Sequence, residues 1–541
     1  MLRNAIALRQ RLLTFYFSLA SVCPESIVAS DHAEYGLRMM KRLLVISLFS
    51  LLFGGCWMPS YAAQTASQYT VNISEQDKRL VRIEARIIPK GNILAVCPEG
   101  ANHLPDKWAT FIRNLAAKDD SGAVIPLQYL GQGAWQIPEP LPKSITLTYD
   151  VLIKHDQGKW PFGAKEAAYV RDDCVFYTGA SLFITMLELK NMTVRFNVPN
   201  GWKVTVPWQE VSGQENTFRV SDAEELVWIG MLVGKHLERK THVGKLEVTL
   251  AIGQDLKPSA GLFDQTVKSI VPAYIKIYGG EPVFRGSSIN KFVIFANRDP
   301  NYEGGGAVFV RTISMMLKDL PKKQDGSSTF SWSHIIVHEM GHLWNGQSIR
   351  EAGQEFWFNE GVTDYLAYLL EARAGLISRQ ELLKAFAQKY DEYLAVAGKL
   401  SMRRAGDDKG NNYDLVYSGG LIASLALDVE LRRDTKNVDG LESLLKRMYG
   451  EFGIQDKKYA LEDILNLANR IAKTNLQPFF KDYIEGTKII PLEKYLDSLG
   501  LDIKRGGVSD KSHTTIQNKS KASRSQRVLF QKVTGLSYTA I

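Results

Sequence analysis

Residues 334 to 342 read HIIVHEMGH, three histidines spaced four apart with a glutamate directly after the second. Positions four apart on an α-helix share one face, one turn above the other. Ile335, Ile336 and Val337 between the polar positions make this a buried helix, and Ser331 or Ser333 can cap its start. Two histidines one turn apart can share a metal ion, and zinc takes imidazole nitrogens at about 2.0 Å. Three cannot, because eight residues of helix advance about 12 Å. Glu339 lies between His338 and His342, where a general base over such an ion belongs, so these two are the candidate ligands. His334 is left as a helix-face histidine with a local hydrogen bond.

A hydrolytic zinc needs a third protein ligand and an open position. A glycine at 345 with a histidine at 348 would supply one solution, but the chain has Asn345 and Ser348. Downstream, FWFNEGVTDYLAYLLEARAG (356 to 375) carries apolar residues at helical spacing, Val362, Tyr365, Leu366 and Leu369, and stops at Gly375. Glu360 and Asp364 stand one turn apart on that helix. Glu360 is the candidate third ligand, and Asp364 the carboxylate that orients a ligating histidine from behind. One Zn²⁺ per chain is the cofactor this set implies.

The rest of the chain, 541 residues with 45% apolar composition, is long enough for several domains. Two-residue alternation in LVRIEARI (80 to 87), SITLTYDVLI (144 to 153) and LEVTLAI (246 to 252), with turn signals such as PKGN and DDSG between runs, predicts an all-β, sandwich-like domain over residues 63–256. Beyond Pro258 a helix ending at Gly279 and Gly280 and a buried strand, KFVIFAN (291 to 297), begin an α/β catalytic domain over residues 257–398. A helical domain is expected over residues 399–503, with capping boxes at Ser378/Glu381 and Asp439/Glu442 along the helical stretch. Residues 504–541 are basic, polar and aperiodic, and are expected to be a disordered tail.

MKRLLVISLFSLLFGGCWMPSYAAQT has the basic, apolar and small-residue order of a secretory signal, placed at residues 39–62 with cleavage after Ala62. Residues 1–38 read as a non-native upstream extension. The expectation is export to the periplasm or outside; the alternative is a lipoprotein anchored through Cys56, the only route by which a membrane enters. Cys97 and Cys174 would remain, as one disulfide or as two buried thiols. The net charge of +8 comes from the ends, +3 in residues 1–62 and +7 in residues 504–541, leaving −2 for the body. A nucleic-acid partner is therefore not expected.

Four stretches, HEMGHLWN (338 to 345), FWFNEGVTDY (356 to 365), LLEARAGLIS (369 to 378) and VYSGGLIASLALDVELR (416 to 432), resemble the gluzincin peptidases and, within them, the glycyl aminopeptidase family. The resemblance implies a thermolysin-like catalytic domain that hydrolyses peptides, with His338, His342 and Glu360 on zinc and Glu339 as general base. It also implies that Tyr417 bonds the developing oxyanion, although the family's Y-x-K-G has Gly419 here in place of lysine. A second departure is Val308, which stands where the family has a glutamate for the substrate's amino group; a shift of register would be needed for Glu303 to substitute. Gly304, Gly305 and Gly306 beside it are candidate substrate-binding positions, where a peptide main chain can lie along an edge strand. The expected activity is that of an aminopeptidase on peptide substrates. Endopeptidase action and a non-catalytic peptide-binding pseudoenzyme are the alternatives.

Overall fold

A computed structural model describes residues 66–155, 160, 166–302, 304–322, 331–506 and 513–538. The leader at 39–62, the upstream residues 1–38, Cys56 and Glu303 lie outside the described residues.

The N-terminal region is sheet-rich. Strands β1 (Gln68–Ile73) and β2 (Leu80–Ile87) bury every second side chain, as their sequences alternate. With β3 (Ile112–Asp119), β4 (Ile145–Leu152), β5 (Lys190–Asn197) and β6 (Thr217–Asp222) they form one sheet, in the order β6-β5-β1-β2-β4-β3, with Gln209–Glu210 added beside β6. Two smaller sheets share a core with it, in which Val71 and Ile83 meet Val96, Trp135, Val175 and Met231. Cys97 and Cys174 are both buried free thiols.

A second sheet carries the next region. It runs β7 (Leu237–Val243), β8 (Leu246–Ile252), β9 (Lys291–Arg298), β11 (Thr312–Leu317), β10 (Gly305–Phe309), with β8, β9 and β11 parallel and β10 an antiparallel edge. The expected boundary at residue 256 is thereby corrected, because β7 and β8 pair into this sheet and not into the N-terminal one. Alternation in LEVTLAI registered only one buried face; Leu250 packs on the helical side while Ala251 packs with Phe176 and Phe295 on the other.

Helices α1 (Ala260–Tyr278) and α2 (Trp332–Gly341) pack on this sheet, and α3 (Phe356–Ala374), α4 (Arg379–Val396) and α5 (Gly420–Asp434) extend the same core. α1 and α3 stop at Gly279 and Gly375, both in the left-handed region. The Ser378/Glu381 capping box is present. The one expected at Asp439/Glu442 is not: Thr435 accepts from the Asp439 amide, and Asp428 of α5 takes the first helical amide, that of Leu441, at 2.7 Å.

The tail read as disordered is also corrected. Strands β12 (Leu501–Gly506) and β13 (His513–Asn518) form a hairpin, followed by α6 (Arg524–Thr534), which buries Leu529, Phe530 and Val533. Asp391 of α4 accepts the Thr514 amide at 2.8 Å, and Arg373 of α3 donates to the carbonyls of Val533 and Thr534. Among the described residues no helix is long and apolar enough to cross a membrane.

Candidate metal centre and active site

Helices α2 and α3 lie side by side in opposite directions and face each other through two polar stripes. His334, His338 and His342 stand on one; Glu371, Asp364 and Glu360 stand on the other. Ser331 caps α2 by accepting from the His334 amide, which starts the helix in the phase that aims these histidines at α3.

At the open end of the pair, Nε2 of His338, Nε2 of His342 and Oε2 of Glu360 lie within 3.0 to 3.4 Å of one another. Ligands about 2.0 Å from a tetrahedral ion stand about 3.3 Å apart, so this donor set fits zinc. The two outer ring nitrogens both face an oxygen, His342 through a hydrogen bond and His338 through proximity to a carboxylate. Nδ1 of His342 donates to the Asn345 carbonyl at 2.9 Å, and Nδ1 of His338 faces Oδ1 of Asp364 at 3.3 Å. Asn345 is itself fixed by bonds from its amide to the carbonyls of Phe358 and Asn359 and to Thr363. Burial disfavours a charge on His338, but Asp364 and Glu360 outweigh it and push its pKa up to about 10. A metal ion held by His338 would have to displace that proton.

Asp364 has more than one partner. Oδ1 also meets Nε2 of His334 at 2.8 Å, and the other ring nitrogen of His334 meets Glu371 at 2.8 Å. Buried Lys389 stands 3.7 Å from Oδ2. Burial alone would raise the Asp364 pKa, but Lys389 and the two histidines hold it well below the usual carboxylate range. His334, Asp364 and His338 are also close enough to suggest a second ion. The Lys389 ammonium already supplies the positive charge there, so the group reads as support for His338. His334, expected to make only a local bond, is thus tied to the centre through Asp364.

The opposite side of the centre is a cleft of ≈ 230 Å³, lined on the catalytic side by Glu339, Tyr417 and the stretch Gly306 to Phe309 of β10. Gly306 lies directly against Glu339: a Cβ there would overlap its Cγ and Oε1. Gly304 and Gly305 are buried before and at the start of β10, with φ of +97° and +154°, and are not among the lining residues. They shape the entry to the strand, and Gly306 alone of the three meets the cleft. Val308 lines it too. Tyr417 sits in a π-helical turn, Leu415–Gly419, immediately before α5, with its ring stacked at 6.1 Å on His338 and at 4.1 Å on Tyr413. Gly419, where the family has lysine, is enclosed by Tyr393, Leu415 and Met402.

Sequence reading missed three charged groups of the cleft. Lys409 places Nζ 2.9 Å from Oε1 of Glu360, and the N-terminal region contributes Glu99 and Glu166 from loops on the facing wall. None of the three carries a motif. Glu371, in contrast, had a signal, since it lies seven residues beyond Asp364 on the same helical stripe.

The M61 glycyl aminopeptidase family model matches residues 331–407, the segment holding the three donors and Glu339, and the Peptidase M61 N-terminal domain model matches residues 68–234. By these matches the two stretches are similar to peptidases of the M61 class. Within that class the chain resembles the M61 glycyl aminopeptidases, in the sheet-rich N-terminal region as well as in the site-bearing helices. No curated protein matches it. Among solved structures it is similar to an aminopeptidase N family protein from Idiomarina loihiensis, with a TM-score of 0.71 and 17% identity over 85% of this chain and 82% of that one. It is also similar to a mutant M1 zinc metallopeptidase from Deinococcus radiodurans bound to a Tyr-Ser-Ala substrate, with a TM-score of 0.52 and 12% identity over 79% of this chain and 95% of that one. At these identities the likeness is one of fold.

Proposed function

We propose that the chain is an exported zinc metallopeptidase acting on peptides with a free amino terminus, its export resting on residues 39–62 alone. The observation that carries the hydrolytic reading is the convergence of His338, His342 and Glu360 at 3.0 to 3.4 Å with Glu339 on the wall of the same cleft.

A zinc ion held there supplies a Lewis acid that polarises a carbonyl and acidifies water. Glu339 accepts the proton of the attacking water and passes it to the leaving amine. Burial and the adjacent Glu360 carboxylate push the Tyr417 phenol well above its usual value, so it stays protonated and can donate to the oxygen that gains charge. The free side of edge strand β10 offers main-chain groups to an extended peptide, and Gly306 leaves room for that peptide beside Glu339.

Charge supports a substrate amine. The lining holds Glu99, Glu166, Glu339 and Glu360 against Lys409 and the two charges of a bound zinc, which leaves one net negative charge for an ammonium group to complement. Val308 favours a second reading, endopeptidase action, because a valine on β10 cannot bond an amine. The two separate on matched peptides with free and acetylated amino termini. The aminopeptidase reading expects kcat/KM to fall at least about tenfold on acetylation, since a buried charge pair is worth more than about 1.4 kcal/mol. Equal rates would favour the endopeptidase; hydrolysis of neither peptide by the zinc-loaded protein would sink both.

A further inference from the structure

We propose that Lys409 is a positioning residue for the metal centre, holding one oxygen of Glu360 so that only the other is presented to the ion. The inference rests on the zinc reading above and concerns how the third ligand is used.

The two oxygens of the Glu360 carboxylate have separate partners. Oε2 faces both imidazoles, 3.1 Å from Nε2 of His342 and 3.4 Å from Nε2 of His338. Oε1 points the other way and accepts from Nζ of Lys409 at 2.9 Å. The ammonium is confined on further sides, with Nζ 4.9 Å from the Phe356 ring and 6.0 Å from the Tyr417 ring. Its backbone is confined as well: Gly406, three residues earlier, packs on the Gln354 carbonyl so closely that a Cβ there would collide with it. Lys409 therefore reaches Glu360 from a fixed loop.

The consequence concerns coordination number. A carboxylate with both oxygens free can chelate an ion and take up a position that a hydrolytic centre needs open. With Oε1 engaged by an ammonium in a charge-assisted bond, Glu360 gives one oxygen, and the remaining position stays available for water and substrate. Lys409 also sets a positive charge near the ion. The centre holds its metal less tightly in return for a vacant position.

The test uses the full exported chain as wild type, Lys409→Met and Lys409→Arg, each loaded with zinc or with cobalt(II). Three quantities are read: metal content, the visible absorption of the cobalt form, and kcat and KM on a peptide the wild type hydrolyses. The expected result for Lys409→Met is one zinc per chain bound at least as tightly as in wild type. Its cobalt band is weakened in the manner of a higher coordination number, and kcat falls about 10- to 100-fold with little change in KM. Lys409→Arg, which keeps a donor for Oε1, restores the wild-type spectrum. An unchanged cobalt spectrum in Lys409→Met would overturn the proposal, and so would loss of zinc from that variant, which would make the lysine a requirement for binding. If Lys409→Met does not fold, Lys409→Gln is read by the same criteria. A wild type that binds no zinc would overturn the metallopeptidase reading itself.

Discussion

Gly306 and Glu339 touch so closely that the smallest possible addition to the strand reaches the base. Gly306→Ala would place a methyl group on Cγ and Oε1 of Glu339, on the side from which substrate approaches. The expected outcome is a fall in kcat/KM of about 10²-fold or more with zinc content unchanged, because a small misplacement of a catalytic group is felt in the rate. Metal analysis beside peptide kinetics checks it, and a variant as active as wild type would show that Glu339 works from another position. At this scale the legible residues were those whose partners are close in sequence. His338, Glu339 and His342 declare themselves by spacing within one helix, and Glu360 by lying one turn from Asp364 on the next. Lys409 meets Glu360 across 49 positions, and a lone lysine in a glycine- and aspartate-rich loop has no pattern to give it away.

Among elements, the decisive contact is the close crossing of α3 and α5. Gly361 and Gly420 meet backbone to backbone, and a Cβ on Gly420 would collide with the Trp357 carbonyl and the Gly361 Cα. The crossing brings the π-helical turn with Tyr417 down onto the helix that carries Glu360. Gly420→Ala should therefore destabilise the protein by about 1–3 kcal/mol, as overpacking does. Gly261→Ala, in α1 with nothing within 4 Å of the added atom, should be neutral or stabilising. Urea melts of the two variants test this, and equal midpoints would remove the close crossing as a source of stability. The facing stripes of α2 and α3 were half legible: the three histidines show a period of four, and Glu360, Asp364 and Glu371 share a helical face. Which stripe meets which is a tertiary fact, and so His334 appeared to stand alone. The Asp439/Glu442 box failed for a similar reason, since Asp428 reaches the helix start from α5.

For the molecule as a whole, the C-terminal hairpin and helix and the joint between its regions matter most. Arg285 pairs with Asp222 and Glu224, and Arg311 with Glu225, so the N-terminal region is clamped beside the cleft by ions as well as by the bond from the Val310 amide to the Trp228 carbonyl. At the other end, β12, β13 and α6 pack on α3 and α4, and α6 adds Phe530 and Val533 to the shared core. Ending the chain at Gly500 would remove these side chains and uncover the part of the helical core they pack against. The truncated protein is expected to melt at a lower temperature and to aggregate, whereas a dispensable tail would leave the melting temperature unchanged. The segment escaped notice because charge and polarity dominate its composition, although Ser523 and Gln526 spell a capping box ahead of Leu529, Phe530 and Val533 at helical spacing. β8 was assigned to the wrong sheet because strand periodicity tells which residues alternate and not which strand lies alongside.

Hydrolysis is ascribed to a zinc ion on His338, His342 and Glu360 acting with Glu339 as the base. The most direct test is peptide hydrolysis by Glu339→Gln at zinc content equal to that of wild type. The expected result is one zinc per chain in both proteins and a rate about 10² to 10⁴ lower in the variant, the usual worth of general base catalysis. Equal rates at equal zinc content would contradict it.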